Sequence, residues 1–411
     1  MAAQAGLKET TAAQMSASPA APAADDAWSS LPGDLLGVVY ARMPSPPDRV
    51  RFAAVCKSWR DFLSWRPPQP ALPWLILSPY EDGTAERVFS PVDGTVFRVP
   101  LPAKAIGMRL VGSHDGGWVV AAASTGDVAA SLVIVNLFSG IEVPLSYKQG
   151  RILDEPGRTD LRIQKIIFSE EPTSKRCILG AILTNRITVG LCRVGCRDRG
   201  WSMSHGSIWF SDIAFCHGKL YGLDDQSRVL VFDLGMTKNG ASVVNDTYLL
   251  RIAEPSSSTY WRGNPRINYI ITHNDKLFLA QRTKWSQEGE LFFKVFELIK
   301  IDKATKYDYM WAEVMSLNDH ALFLSVPYSR FVHVPARSHG HVERNHIYYS
   351  HPHAIIREFF GDVVQLKMRD NGNHMYCIED RKISGVDRIT SSRYYMADGC
   401  PTLMWVIAPN F

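Results

Sequence analysis

Apolar residues recur at helical spacing in one short stretch of this chain and at strand spacing almost everywhere beyond it. Between Trp28 and about Trp65, the residues Leu35, Leu36, Val39, Tyr40 and Met43 stand at i, i+1, i+4, i+5 and i+8, one stripe of an amphipathic helix. Ser29 or Ser30 is placed to cap it, and Pro32 suits its first turn, where a missing N–H costs nothing. The run "MPSPPD" ends it, since proline lacks a donor and disfavours helix in the residue before it. Pro47 can open a second short helix through Val50, Phe52, Ala53 and Ala54, and Cys56, Trp59, Phe62 and Leu63 form the stripe of a third. "WRPPQPALP" then reads as a proline-rich connector.

From residue 74 onward the helical period is gone. Short β-branched and aromatic runs such as "GWVVAAAS", "SLVIVNLFSGIEVPL", "CILGAIL", "DKLFLAQR" and "HIYYSHP" follow one another, parted by Gly, Asp, Asn and Pro. Two pieces share a plan. "FCHGKLYGLDDQSRVLVFDLG" and "THNDKLFLAQRTKWSQEGELFFKVFELIKID" each hold a polar turn, a strand centred on Lys-Leu-aromatic, a polar loop, and a strand ending Val-Phe-acid-Leu. A unit of about 45–60 residues holding four strands is the sign of a β-propeller blade, and the length after residue 74 predicts six or seven of them. A β-sandwich with chance similarity is the other fold that such runs allow.

Composition changes this picture little. At 411 residues the chain is long enough for a small module plus a large domain, and 46% hydrophobic with 21% charged residues is ordinary globular usage. Residues 1–27, rich in Ala, Ser, Pro and Gln, read as a disordered leader. The expected organisation is leader 1–27, helical module 28–66, connector 67–73 and propeller 74–411. A net charge of +4 spread over 45 basic and 41 acidic residues is too weak to predict a nucleic-acid partner. Seven scattered cysteines, no apolar secretory core near the N-terminus and no membrane-spanning apolar run predict a chain with free thiols inside the cell, in the nucleus or cytoplasm, with no membrane partner.

Candidate chemistry is sparse. No G-x-G-x-x-G, Walker A loop, G-x-S-x-G elbow or H-E-x-x-H occurs, so those enzyme classes lose support, and no catalytic residue, cofactor or metal is predicted. Cys192, Cys196, His205, Cys216 and His217 form a loose zinc-like set that lacks the paired second half of a zinc site, and incidental thiols are the expectation. His333, His339, His341, His346, His351 and His353 crowd one stretch, read as a polar loop between strands.

The helical stretch carries more apolar side chains than three short helices of about ten residues can bury among themselves, because a chain below about 40 residues hides too small a share of its surface. Some of that area must dock on the β domain or on another protein. In "SSLPGDLLGVVYARMPSPPDRVRFAAVCKSWRDFL" the order Leu-Pro-x-Asp-Leu-Leu, a Pro/Ser break, Asp-Arg-x-Arg-Phe and Val-Cys-Lys-x-Trp-Arg resembles an F-box. "DIAFCHGKLYGLDDQSRVLVFDL", "WAEVMSLNDHALFLS", "NHIYYSHP" and the closing "PTLMWVIAP" resemble the plant domain of unknown function 295, a KIB-type β-propeller that often follows an F-box in grass proteins. This second likeness covers roughly residues 70–409 and departs from its pattern at "HVPARSHGHVERN".

What the resemblance implies is a mainly β protein, a propeller preceded by a three-helix F-box module, that docks a Skp-family adaptor and through it a cullin–RING ubiquitin ligase. The positions carried over as adaptor-binding are Leu31, Pro32, Leu35, Leu36, Val39, Val50, Val55, Cys56 and Trp59. The chain would be a non-catalytic substrate receptor, recruiting a protein target of unknown identity through its propeller loops. A non-ligase F-box scaffold, or a propeller enzyme with a helical appendage, are the alternatives.

Overall fold

The computed structural model describes residues 28–43, 51–53, 55–64, 72–80, 82–91, 94–123, 130–152, 163–183, 185–205, 208–237, 242–253, 267–284, 291–302, 306–334, 342–350, 369–370, 375–379, 390–396 and 403–408. The expected leader 1–27 and residues 67–71 of the expected connector lie outside them. The chain divides into two compact units, a helical one ending near residue 67 and a β unit that takes in residues 68–410.

In the helical unit, α1 runs Gly33–Ala41 and α2 runs Lys57–Ser64, and residues 51–53 and 55 between them are helical as well. Neither Ser29 nor Ser30 caps α1. Pro32 itself holds the N-cap position, extended at ψ 144°, with no side-chain cap, and its carbonyl accepts the Leu36 N–H at 3.0 Å. A proline already fixed in φ sets the entry of the chain without a hydroxyl, while Asp34 places a negative charge at the positive end of the helix. Leu36, Tyr40, Phe52 and Trp59 make the core, with the Phe52 ring 4.5 Å from Trp59 and 5.4 Å from Tyr40. Trp59 Nε1 donates to the Trp28 carbonyl at 2.8 Å, tying the start of the module to α2.

The β unit is a six-bladed propeller, the lower of the two blade numbers that the repeats predict. The first blade joins Met404–Val406 to Trp74–Pro79, Ala85–Phe89 and Val96–Pro100, so a strand from near the end of the chain pairs with the first strand of the domain. This pairing ties distant parts of the chain into one sheet and covers what would otherwise be an open edge. Trp74 and Trp405 are wholly buried there. The second blade holds Arg109–His114, Trp118–Ala122, Ala130–Asn136 and Glu142–Val143, with Arg151–Ile152 further along its third strand. Ile163–Phe168, Ile178–Leu183, Thr188–Arg193 and Ser202–His205 form the third.

The two pieces that read as repeats become the fourth and fifth blades. Phe210–Cys216, Lys219–Asp224, Val229–Met236 and Ser242–Leu249 make one; Ile267–His273, Lys276–Lys284, Leu291–Lys300 and Tyr309–Val314 make the other. Their shared Lys has a shared use, since Lys219 pairs with Asp233 at 3.2 Å and Lys276 with Glu297 at 2.7 Å across the same two strands. Both first hairpins turn on two residues with positive φ, His217 and Gly218 in one, Asn274 and Asp275 in the other, the twist that matches paired strands. The sixth blade departs from a simple meander: it runs Ser329–His333, His320–Leu324, His346–Ser350, Thr390–Met396, Met375–Glu379 and Arg369–Asp370, with two parallel pairings.

Neighbouring blades are joined near their first strands by a mix of apolar packing and single polar links. Ser113 Oγ donates to Trp405 O at 2.8 Å, Thr272 Oγ1 to Phe215 O at 2.8 Å, and Trp405 Nε1 to Leu324 O at 3.0 Å. Between the second and third blades the backbones touch, because a Cβ on Gly112 would stand 2.1 Å from Ile166 O. Gly112→Ala should therefore force these strands apart and cost about 1–3 kcal/mol, seen as a lower urea midpoint. An unchanged midpoint would show that the two strands have room to spare.

Candidate partner-docking face

Eight of the nine residues predicted to bind an adaptor fall into three groups. Leu36 and Trp59 are buried, 2% and 7% exposed, and spend their side chains on the module's own core. Leu31, Val39 and Cys56 are half-buried against that core. Leu35 and Val55 are about half exposed, at 48% and 52%, and Pro32 is exposed as well. Val50 lies outside the described residues.

Two exposed apolar side chains were not in that set. Val38 is 49% exposed and Trp28 63%. Val38 follows Leu35 by three residues on α1, so the two share a face, and that spacing is a signal the sequence already contained. Among the described residues a four-residue core with large apolar side chains left in water beside it is unusual for a finished surface, and it marks an area suited to be covered.

Cys177 and Cys192 are buried in the core between the second and third blades, where burial pushes their thiols up to about 11 and about 12. Neither is a thiolate near neutral pH, so neither is poised as a nucleophile or ligand. The loose zinc-like set is dispersed among separate contacts: His205 Nδ1 is 2.9 Å from Thr188 Oγ1, while Cys216 Sγ and His217 Nε2 both face Asp275 O. Among the described residues no three of His, Cys, Asp and Glu are arranged to hold a metal ion.

Of the six crowded histidines, His339, His341, His351 and His353 lie outside the described residues. His346 is buried, which pulls its imidazole down to about 4 and keeps it neutral. His333 gathers instead with His320 and His273, the ring centres 5.6 and 4.9 Å apart, around Asp319, whose two oxygens lie 2.7 Å from His320 Nδ1 and 3.2 Å from His333 Nε2. Burial, helped by His320 and Arg330, lowers the pKa of His273. Spacing along the chain could not show this group, because it unites two blades.

The F-box domain model matches residues 28–68, and the model of the KIB1-4 β-propeller family matches residues 88–380. Curated relatives agree along most of the chain. The Arabidopsis thaliana F-box protein At3g25750 is 23% identical over 346 residues, 79% of this chain and 87% of that one. F-box protein SKIP23 of the same plant is 21% identical over 351 residues, covering 72% and 77%. Solved structures are alike only loosely: the N-terminal domain of Nup159 superposes with a TM-score of 0.30 at 11% identity, over 62% of this chain and 65% of that one.

Proposed function

Since the chain belongs to the KIB1-4 β-propeller family and carries an F-box domain ahead of the propeller, we propose that it is the substrate-receptor subunit of a Skp–cullin–F-box ubiquitin ligase. The helical module docks on a Skp-family adaptor, and the propeller holds the protein to be modified. The observation that carries this reading is the half-exposed Leu35, Val38 and Val55 on a module whose buried core, among the described residues, is four apolar side chains. Burying large apolar side chains of this kind contributes about 1.5–3 kcal/mol each when complete, enough for three to hold a partner.

The receptor performs no bond chemistry. Its contribution is proximity, which raises the effective concentration of the target beside catalytic groups that other chains supply. The buried, protonated thiols of the propeller agree with a non-catalytic part. Cys56, Cys177, Cys192 and Cys216 are in no disulfide, which supports a reducing compartment, the nucleus or cytosol.

Co-purification with a Skp adaptor tests the reading. Leu35→Asp with Val55→Asp should abolish capture while helical content and the thermal midpoint stay near those of the parent, because both side chains are already half in water. Trp59→Ala should lose capture for another reason: emptying the centre of the small core costs about 3–5 kcal/mol and unfolds the module. Undiminished recovery of the Leu35/Val55 pair would overturn the docking face.

A further inference from the structure

Three loops of the second and third blades meet at one corner of the propeller: residues 144–150, the turn 169–177 and the turn 194–201. Their contact is backbone on backbone. A Cβ on Gly195 would stand 2.2 Å from Lys175 O, and one on Gly200 2.7 Å from Lys148 O. Gln149, wholly buried, sets its Nε2 at 2.8 Å from Arg193 O and at 3.1 Å from both Val194 O and Cys196 O. Trp201 Nε1 donates to the carbonyl of Gln149 in turn, at 2.9 Å. The carbonyls of the third-blade loop are thus held inward by one glutamine.

Outward, the same loops expose Lys148, Lys175, Arg176, Arg197 and Arg199, with Arg193 half-exposed at their base. Half as many carboxylates stand near them in the sequence, Glu170, Glu171 and Asp198, and of the five exposed cations Arg176 alone is ion-paired with a described residue, Glu170 at 3.4 Å. The corner holds an excess of three positive charges where the whole chain carries an excess of four. Tyr147, 70% exposed, adjoins Lys148 with the Arg151 guanidinium 4.3 Å over its ring. Exposed Arg and Tyr on a fixed backbone are the side chains that interfaces favour, and the fixed backbone lowers the entropy lost on binding.

We propose that this corner is where the propeller receives a target, and that the segment it receives is an anionic peptide, rich in Asp and Glu or phosphorylated. Isolated cations interleaved with Glu170, Glu171 and Asp198 suit spaced side-chain charges better than the continuous phosphates of a nucleic acid or an anionic membrane. The inference rests on the propeller being the target-holding part, as proposed above.

Fluorescence anisotropy with the full chain and four labelled or vesicular probes tests it: a Glu-rich peptide, a phosphoserine peptide, a single-stranded RNA and phosphatidylserine vesicles. One of the two peptides should bind, several-fold more weakly at about 0.15 M salt than at about 0.01 M. Lys175→Glu/Arg197→Glu/Arg199→Glu should weaken that binding by at least about tenfold with an unchanged thermal midpoint. Arg197→Gln/Arg199→Gln should give a smaller loss, and it carries the test if the charge-reversed chain does not fold. Which peptide binds decides between carboxylate and phosphate. No peptide binding, equal binding by both variants, or tighter binding of RNA or vesicles overturns the proposal. Adaptor co-purification from the same preparations should be unaffected by these substitutions; its absence in the parent would count against the F-box reading and leave the corner standing.

Discussion

Replacing Lys165 by methionine is expected to destabilise the propeller by about 3–5 kcal/mol, seen as a large drop in its urea midpoint. Lys165 on the first strand of the third blade meets Asp212 on the first strand of the fourth, Nζ to Oδ1 at 2.5 Å, with 4% of each side chain exposed. Asp212 also accepts the N–H of Ile213 at 2.8 Å and of Ile270 at 3.1 Å, so one carboxylate ties three consecutive blades together. Burial already holds its pKa above the ordinary value despite the attraction of Lys165. Without the ammonium, a charge would sit in the core with no counter-ion.

The direction of its pH dependence follows. A carboxyl whose folded pKa exceeds its unfolded one binds more protons when folded, so stability falls as pH rises through that window. The Lys165→Met chain should therefore regain stability as pH is lowered toward the raised pKa. Adding Asp212→Asn, which keeps an oxygen for the backbone donors, should recover much of the loss at neutral pH. If single and double variants unfold at the same midpoint, the unpaired charge is not the cause.

Glu86→Gln is expected to stabilise the protein by about 3 kcal/mol at pH 8 and to have little effect at pH 4. Glu86 lies on the second strand of the first blade, 4% exposed, and burial alone lifts its carboxyl from 4.5 to about 7. Below pH 4.5 it is protonated in both states and costs nothing extra. Between about 4.5 and 7 the folded chain keeps a proton that the unfolded chain has lost, so stability falls steadily with pH; above 7 the full cost remains. Other carboxyls titrate alike in both chains, and the difference in midpoint between parent and variant isolates this one. A difference that stays constant from pH 4 to pH 8 would refute the assignment.

The Lys165–Asp212 pair, the histidines around Asp319 and the basic corner share one property: each is assembled from separate blades or loops. Lys165 and Asp212, or Lys148, Arg176 and Arg199, have no spacing that announces their meeting, because strands of neighbouring blades come together by packing and not by period. The helical module is the opposite case. Its helices, its Pro break and its surplus of apolar side chains are local, so they are legible in the chain alone. Leu36 and Trp59 are buried, and a stripe of apolar residues on a short helix does not say which members face inward. Phe52 decides that, by filling the space between Tyr40 and Trp59.

By itself the sequence determined that a small helical module precedes a repeated β domain, since helical and strand periods and turn residues are properties of a few neighbouring positions. It determined the shared hairpin turns and the shared lysines of the fourth and fifth blades for the same reason. Tertiary structure decided the number of blades, the pairing of Met404–Val406 with Trp74–Pro79, and which apolar side chains of the module remain in water. It also decided that Gln149 turns one loop's carbonyls inward and leaves its cations outside. Each of these depends on contacts between residues far apart in the chain, where burial and hydrogen bonding choose among arrangements that local preference leaves equal.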